Sequence, residues 1–477
     1  MNSRRAAVWL LAASVLGCGC ARTDDIAVYY AGGAHGRFWS EKDAASGAET
    51  GGFAALKKMV AAEKKPHILL SGGDWSAGTP EGALTRGEAA VQLMNMAGYA
   101  AAVPGAGEFA LGAAQLEAVL PRARFPVLCA NVYDGAKGGR ASFCKPYVIT
   151  RVGPVKAGII GLVGPSAARA VPRELMRGLS IRNPADEARR QAAALARENV
   201  KFIIALVQFS PEEDEDALRA AAPGISLIVG GRPALEAGGL SRVLRYDAAV
   251  GSVSGALRRA SRSSIALDAR RWGKDPAVSA EAGRVRRSLE KTLSRVVGSA
   301  EAPLPHSGWP DSAAANWAAD CLRRWGRADM GIIAEDDVAS GLDQGRITLR
   351  RLYELYPRDE SAVFFKMRGA DLQAALGESL SHKGRRLFIS GARARLDENG
   401  GKLVSLEIDG KPVSANKIYR VCAPDGMLPG GGAAGFSRVV EFANSCELVR
   451  DKLRWCMGRQ RGMLPPEAGR WGKGKSD

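Results

Sequence analysis

From residue 26 to about residue 232 the chain alternates short apolar runs with segments of helical spacing, and few folds accept that alternation. Residues 26–30, 67–70, 126–128, 157–160, 202–206 and 225–229 are the clearest strand-like runs. Residues 87–96 and 184–198 have helical character between them. Apolar strands joined by helices predict a largely buried α/β sheet, because a strand covered on both faces has no solvent face to mark with polar residues. Several runs end in glycine pairs, at Gly32-Gly33, Gly72-Gly73 and Gly230-Gly231. Ligand sites in such sheets form outside the carboxyl ends of the strands, so chemistry is expected at these turns.

The pattern changes near Asp275. Residues 278–297, with Ala280, Val285, Leu289 and Leu293 on one face, predict an amphipathic helix rich in Arg and Lys. Ala302-Pro303-Leu304-Pro305 marks a linker, and a second α/β region is expected from about Ser312 to Ala443. The expected organisation is a signal and anchor at 1–23, a first domain at 24–274, a connecting helix and linker at 275–305, a second domain at 306–445, and a basic tail at 446–477. That tail, rich in Gly, Pro, Arg and Lys from Pro465, is expected to be mobile. Two domains suit a chain of 477 residues, which exceeds what one core supports.

The first residues predict export. Arg4 and Arg5 precede an apolar stretch at 6–16 that is too short to span a membrane. It closes as Val15-Leu16-Gly17-Cys18, which resembles a bacterial lipoprotein signal whose cysteine thiol takes a diacylglyceryl group. Cys18 is therefore the expected lipidation site and the cell envelope the expected location, with Cys20 the alternative. Six further cysteines, at 129, 144, 321, 422, 446 and 456, are free to oxidise in an exported protein, and none has CxxC spacing. The sequence leaves their connectivity open. The formal net charge is +17, or +15 once Arg4 and Arg5 are removed (17 − 2). Such basicity suits anionic headgroups, envelope polymers or small anionic ligands. Nucleic acid is not expected, since the cations are dispersed and no nucleic-acid module accompanies them.

Ordered motifs add a resemblance. Ala34-His35-Gly36-Arg37, Gly51-Gly52-Phe53-Ala54, Leu69-Leu70-Ser71-Gly72-Gly73-Asp74 and Gly105-Ala106-Gly107-Glu108-Phe109 occur in sequence. Ala130-Asn131, Lys145-Pro146-Tyr147 and Ile228-Val229-Gly230-Gly231 follow. Further along come Ile347-Thr348-Leu349, Ser390-Gly391, Tyr419-Arg420-Val421 and Gly430-Gly431-Gly432. Together they resemble the 5′-nucleotidase and 2′,3′-cyclic phosphodiesterase family over nearly all of residues 26–440. The resemblance implies a metallophosphoesterase-like α/β/β/α sandwich plus a second α+β domain of 5′-nucleotidase C-terminal type. It also implies hydrolysis of phosphate esters by two divalent ions, which generate a hydroxide nucleophile and clamp the phosphoryl oxygens.

Carried over position by position, the resemblance leaves few of the groups that chemistry needs. His35 and Asp74 stand at ligand positions, and Gln208 is a poor third. Gly33, Ala106, Arg232 and Ala234 occupy the other ligand positions, while Gly107 and Ala110 replace the transition-state histidine and its orienting aspartate. One imidazole and one carboxylate do not make a dinuclear site, so no metal is expected, whereas an active member would need two. In the second domain, Ala334-Glu335-Asp336-Asp337-Val338-Ala339 replaces the family's glycine-rich phosphate-binding run. Arg386 takes one base-stacking position and Phe436 keeps the other, with Arg393 retained nearby. Arg232, Arg393, Phe436 and Arg386 are the residues left to meet a ligand. Each has a simpler role open to it. His35 suits a hydrogen-bonded loop residue, Asp74 a cap, Glu108 a buried acceptor and Phe436 a core residue. Three functions follow. The first is a non-catalytic lipid-anchored binding or scaffold protein, the second a phosphate-ester hydrolase with a rebuilt site, and the third a structural envelope protein holding anionic polymer.

Overall fold

The computed structural model describes residues 23–473 apart from 43–46, 77, 170, 172–174, 211–212, 232–238, 252–255, 382–384 and 428–433. Cys18, Arg232, Ala234 and the run Gly430-Gly431-Gly432 therefore lie outside the described residues.

The first unit is built from β1 (Thr23–Tyr30), α1 (Phe53–Ala61), β2 (His67–Ser71), α2 (Pro80–Thr85), α3 (Glu88–Ala97), β3 (Ala101–Ala102) and α4 (Ala106–Phe109). It continues with β4 (Tyr147–Val152), β5 (Val155–Val163), α5 (Pro184–Arg197), β6 (Phe202–Gln208), α6 (Glu215–Ala221) and β7 (Leu227–Gly230). A long hairpin of β8 (Arg242–Gly251) and β9 (Leu257–Ala266), then α7 (Pro276–Leu293), completes it. One sheet has the order β9-β8-β1-β2-β3 and the other β7-β6-β5-β4.

Alternation along β5 and β6 shows how the layers form. Ile159, Ile204 and Leu206 join the core shared with Ile26 and Val28 of the first sheet. Ile160, Ile203 and Ala205 point the other way, into a separate core with Ala188, Leu195 and Leu218 of α5 and α6. A period of two on a strand buried on both faces produces this split. On the far side of the first sheet, Phe53, Leu56, Leu93, Met94, Val278 and Val285 supply the covering helices. The architecture is the expected α/β/β/α sandwich.

The second unit contains α8 (Ala313–Gly326), β10 (Met330–Ala334), α9 (Leu349–Leu355), β11 (Ser361–Arg368) and α10 (Gly369–Ser379). After these come β12 (Leu387–Ser390), β13 (Ala392–Leu396), β14 (Leu403–Ile408), β15 (Ile418–Pro424), β16 (Glu441–Leu448), α11 (Val449–Arg459) and β17 (Trp471–Lys473). Its main sheet runs β12-β10-β15-β11-β16, and a smaller one carries β14, β13 and β17. Between the units, Arg350 on α9 donates to Glu81 at 2.6 Å and to Glu290 at 3.2 Å.

One expectation needs correction. The tail is folded up to residue 473: α11 is tied to α8 by a disulfide between Cys321 and Cys456, and β17 pairs with β13. Arg470 fixes the final turn by donating to the Ile389 carbonyl and to Asp320, each at 2.8 Å. Burial of Trp471 and its pairing with Ala394 offset the low packing tendency of a Gly- and Lys-rich segment. In the linker, Leu304 is buried and exchanges backbone hydrogen bonds with Leu342. Cys129 and Cys144 form the other disulfide, while Cys422 is a buried free thiol. No helix among the described residues is long and apolar enough to cross a membrane.

Candidate functional site

The loops after β1 and β2 and the segment leading into α4 converge at the carboxyl ends of their strands. Gly33, His35 and Gly36 donate backbone N–H groups to the carbonyls of Gly73, Asp74 and Trp75 at 2.9, 2.7 and 3.0 Å. Close approach here depends on glycine. A Cβ on Gly73, whose φ is 95°, would lie 2.4 Å from the Gly105 nitrogen, and one on Gly105 would lie 2.6 Å from Asp74 Oδ1. His35 and Asp74 themselves have φ of 48° and 54°, a left-handed conformation uncommon outside glycine.

Glu108 holds this junction together. It is fully buried, and its Oε1 accepts from the Trp75 and Ser76 amides at 3.0 Å each and from the Ser76 hydroxyl at 2.8 Å. Its Oε2 accepts from the amides of Asp74 at 2.7 Å and Gly105 at 2.9 Å. Burial, with the Asp74 charge beside it, pushes the Glu108 carboxyl up to about 7, while the five donors pull the other way. The Asp74 carboxylate is engaged too: Oδ1 accepts from the Gly107 amide at 2.8 Å, at the start of α4, and Oδ2 accepts from Gln208 Nε2 at 3.3 Å. Gln208 Oε1 is buried without a partner. The structure thus brings Asp74 and Gln208 into contact and leaves the His35 side chain exposed on the neighbouring loop. Gly107 and Ala110 supply only backbone and a methyl group. Among the described residues no group of three or more His, Cys, Asp or Glu is placed to hold a metal ion.

Glu213 was not legible as a site residue. It accepts from the Ser166 amide and hydroxyl at 2.8 and 2.9 Å and from the Ser210 amide and hydroxyl at 2.5 Å each, joining the turns after β5 and β6. Burial would raise its carboxyl, yet these hydrogen bonds hold it below the ordinary range. The only sequence signal was its place five residues beyond Gln208, where a strand ends at a ligand position.

In the second unit the altered run builds an internal ion network. Asp337 is fully buried against Arg385 at 2.5 Å and Arg358 at 3.1 Å, and Asp336 meets the same two arginines at 2.8 Å each. Burial pushes Asp337 up and the two guanidinium groups pull it down. Glu360 is pushed up to about 8 by burial and then by Asp337, and it accepts from the Tyr356 hydroxyl at 2.5 Å. Arg386 lies 4.4 Å over the Trp309 ring, and the Trp309 amide donates to Glu335 at 2.9 Å. Phe436 is buried in edge contact with Phe365, and the exposed Arg393 pairs with Glu467.

A metallophosphoesterase-type sandwich joined to a second α+β domain defines the class. Residues 292–440 match the family model for the 5′-nucleotidase C-terminal domain. Endonuclease YhcR of Bacillus subtilis is 24% identical over 80% of this chain and 34% of its own length, and protein UshA of Escherichia coli is 31% identical over 44% and 40%. The chain thus spans well under half the length of these two relatives. It matches 89% of protein UshA of Yersinia enterocolitica at 23% identity. In fold it is similar to a putative 5′-nucleotidase from Staphylococcus aureus, with a TM-score of 0.76 at 16% identity over 95% of this chain and 100% of that one. A 5′-nucleotidase precursor from Thermus thermophilus gives 0.71 at 20% over the same shares. Residues 292–440 thus belong to the 5′-nucleotidase C-terminal domain family, and the chain as a whole has the two-domain fold of 5′-nucleotidases.

Proposed function

We propose that this protein is a lipid-anchored member of the family that has lost two-metal hydrolysis and serves the cell envelope as a binding or scaffold protein. The observation that carries the reading is the commitment of the Asp74 carboxylate to Gly107 and Gln208, in a junction already satisfied by Glu108. A dinuclear site needs several oxygen and imidazole donors converging on one point. Gly33 and Ala106 offer none, and sequence places Arg232 and Ala234 where the family resemblance expects histidines. The residues present do not fit a metal pair.

The second unit supports the same reading. A nucleotide phosphate would meet Asp336 and Asp337, with Arg358 and Arg385 already paired to them. Freeing those arginines would strand a buried carboxylate, which is strongly unfavourable. The anchor rests on the signal ending at Cys18. The test is hydrolysis of AMP, UDP-sugars, cyclic nucleotides and p-nitrophenyl esters with manganese, zinc, cobalt or calcium. Rates should not exceed those of the His35→Ala, Asp74→Ala double variant. Turnover abolished by that double substitution would overturn the reading.

A further inference from the structure

We infer that the end of the first unit opposite the cleft is a docking surface for the anionic bilayer that holds the anchor, so that the cleft faces away from the membrane. The inference rests on the anchor reading for Cys18. Its first support is where the tether enters the fold. Cys18 lies five residues before Thr23 (23 − 18), at most about 18 Å of fully extended chain. Thr23 opens β1 and pairs with Gly251 of β8, at the end of the sheet where β9 begins. The site loops lie at the other end of β1, eight residues and roughly 25 Å away. An anchored chain therefore holds this base close to the bilayer.

The second support is charge. The base gathers Lys64 before β2, Arg151 and Lys156 on the β4–β5 hairpin, Lys201 before β6, and Arg258 and Arg259 at the start of β9, all exposed. Register places them together. Arg151 pairs with Lys156, Phe202 pairs with Ala157, and a Cβ on Gly153 would lie 2.7 Å from the Pro66 side chain, which brings the two sheets' ends into contact. The ion pairs at this end join Lys65 to Asp25 and Asp247, and Arg245 to Glu63 and Asp247. Among the described residues, none of the six exposed cations enters an ion pair. Against them stand Asp24, Asp25 and Glu198; Glu198 accepts from the Tyr147 hydroxyl at 2.8 Å. Strand β9 strengthens the case. It is an edge strand exposed along most of its length, and among the described residues its arginines form no ion pair. Lysine and arginine side chains at such a surface are attracted to anionic lipid within a Debye length.

The test uses the full chain without lipid, as the Cys18→Ser, Cys20→Ser variant, so surface binding is read apart from anchoring. Cosedimentation is measured with vesicles containing phosphatidylglycerol and with vesicles of phosphatidylcholine alone. Binding should appear only with the anionic vesicles, and fall when salt rises from about 0.1 M to about 0.5 M. Reversing Lys156, Lys201, Arg258 and Arg259 to Glu should weaken it roughly tenfold or more. Reversing four exposed cations of the second unit, Arg368, Arg395, Lys402 and Lys411, should leave most of the binding. Equal loss in the two sets, or equal binding to neutral vesicles, overturns the inference. The anchor fails separately, if the unsubstituted chain takes up no lipid label.

Discussion

Glu108 is the residue whose replacement most directly tests how the cleft is held together. In Glu108→Gln the side chain keeps its length and one oxygen, and the second oxygen becomes an NH2 donor. The retained oxygen can still accept from Trp75, Ser76 and the Ser76 hydroxyl. The amide nitrogen would then face the N–H groups of Asp74 and Gly105, now at 2.7 and 2.9 Å from an acceptor. Two buried N–H donors without acceptors cost about 1–3 kcal/mol each, so the substitution should destabilise the first unit by about 2–6 kcal/mol. Burial raises its carboxyl from the ordinary 4.5 to about 7, so the wild type loses stability as pH rises between those values and the Gln variant does not; the penalty is expected to be largest at low pH and to shrink by pH 7. Urea unfolding gives the magnitude, and hydrogen exchange at Asp74, Trp75, Ser76 and Gly105 gives the location. A loss under about 0.5 kcal/mol, with these amides as protected as in the wild type, would refute the reasoning, because uninvolved sites usually fall within that limit.

Three other outcomes are expected. Replacing Cys18 with Ser should abolish lipid labelling and release the protein from membranes; continued labelling would move the anchor to Cys20. AMP and adenosine should show no saturable binding by calorimetry at millimolar concentration, a threshold of only about 4 kcal/mol; a micromolar affinity would contradict the ion network around Asp337. Glu360 has a folded pKa of about 8, raised above its ordinary 4.5. Its contribution to stability is therefore full below the unfolded value and lost as pH rises through about 8, by roughly 1.4 kcal/mol per pH unit between the two. Glu360→Gln should flatten that part of the profile, and parallel profiles for the two proteins would count against the assignment.

Much of the first unit was readable because its central strands are buried on both faces. Residues 26–30, 67–70, 157–160 and 202–206 all fall within observed strands, since apolar runs of that length have no other place in such a sheet. Residues 126–128 make only isolated bridges from Val127 and Leu128, because the chain passes from one sheet toward the other there. Strand β9 gave no signal, as an edge strand rich in Arg and Ser lacks the alternation that burial imposes. The folded tail was hidden for another reason: Arg470 and Trp471 are held by Ile389, Asp320 and Ala394, partners distant in sequence that no local pattern encodes. At the site, glycine and acidic motifs located the loops. The partners of Asp74 are a backbone amide 33 residues away and a side chain 134 residues away, contacts that only the fold reveals.

The central claim is tested most directly by metal stoichiometry. Purified chain is loaded with manganese, passed through a desalting column and assayed for metal and protein by elemental analysis. His35 and Asp74 are the family ligands left, and Asp74 is already bonded to Gly107 and Gln208. The account predicts less than one tightly held ion per chain, unchanged in the His35→Ala, Asp74→Ala variant. Two ions per chain, lost in that variant, would contradict it and make a rebuilt two-metal hydrolase the better description.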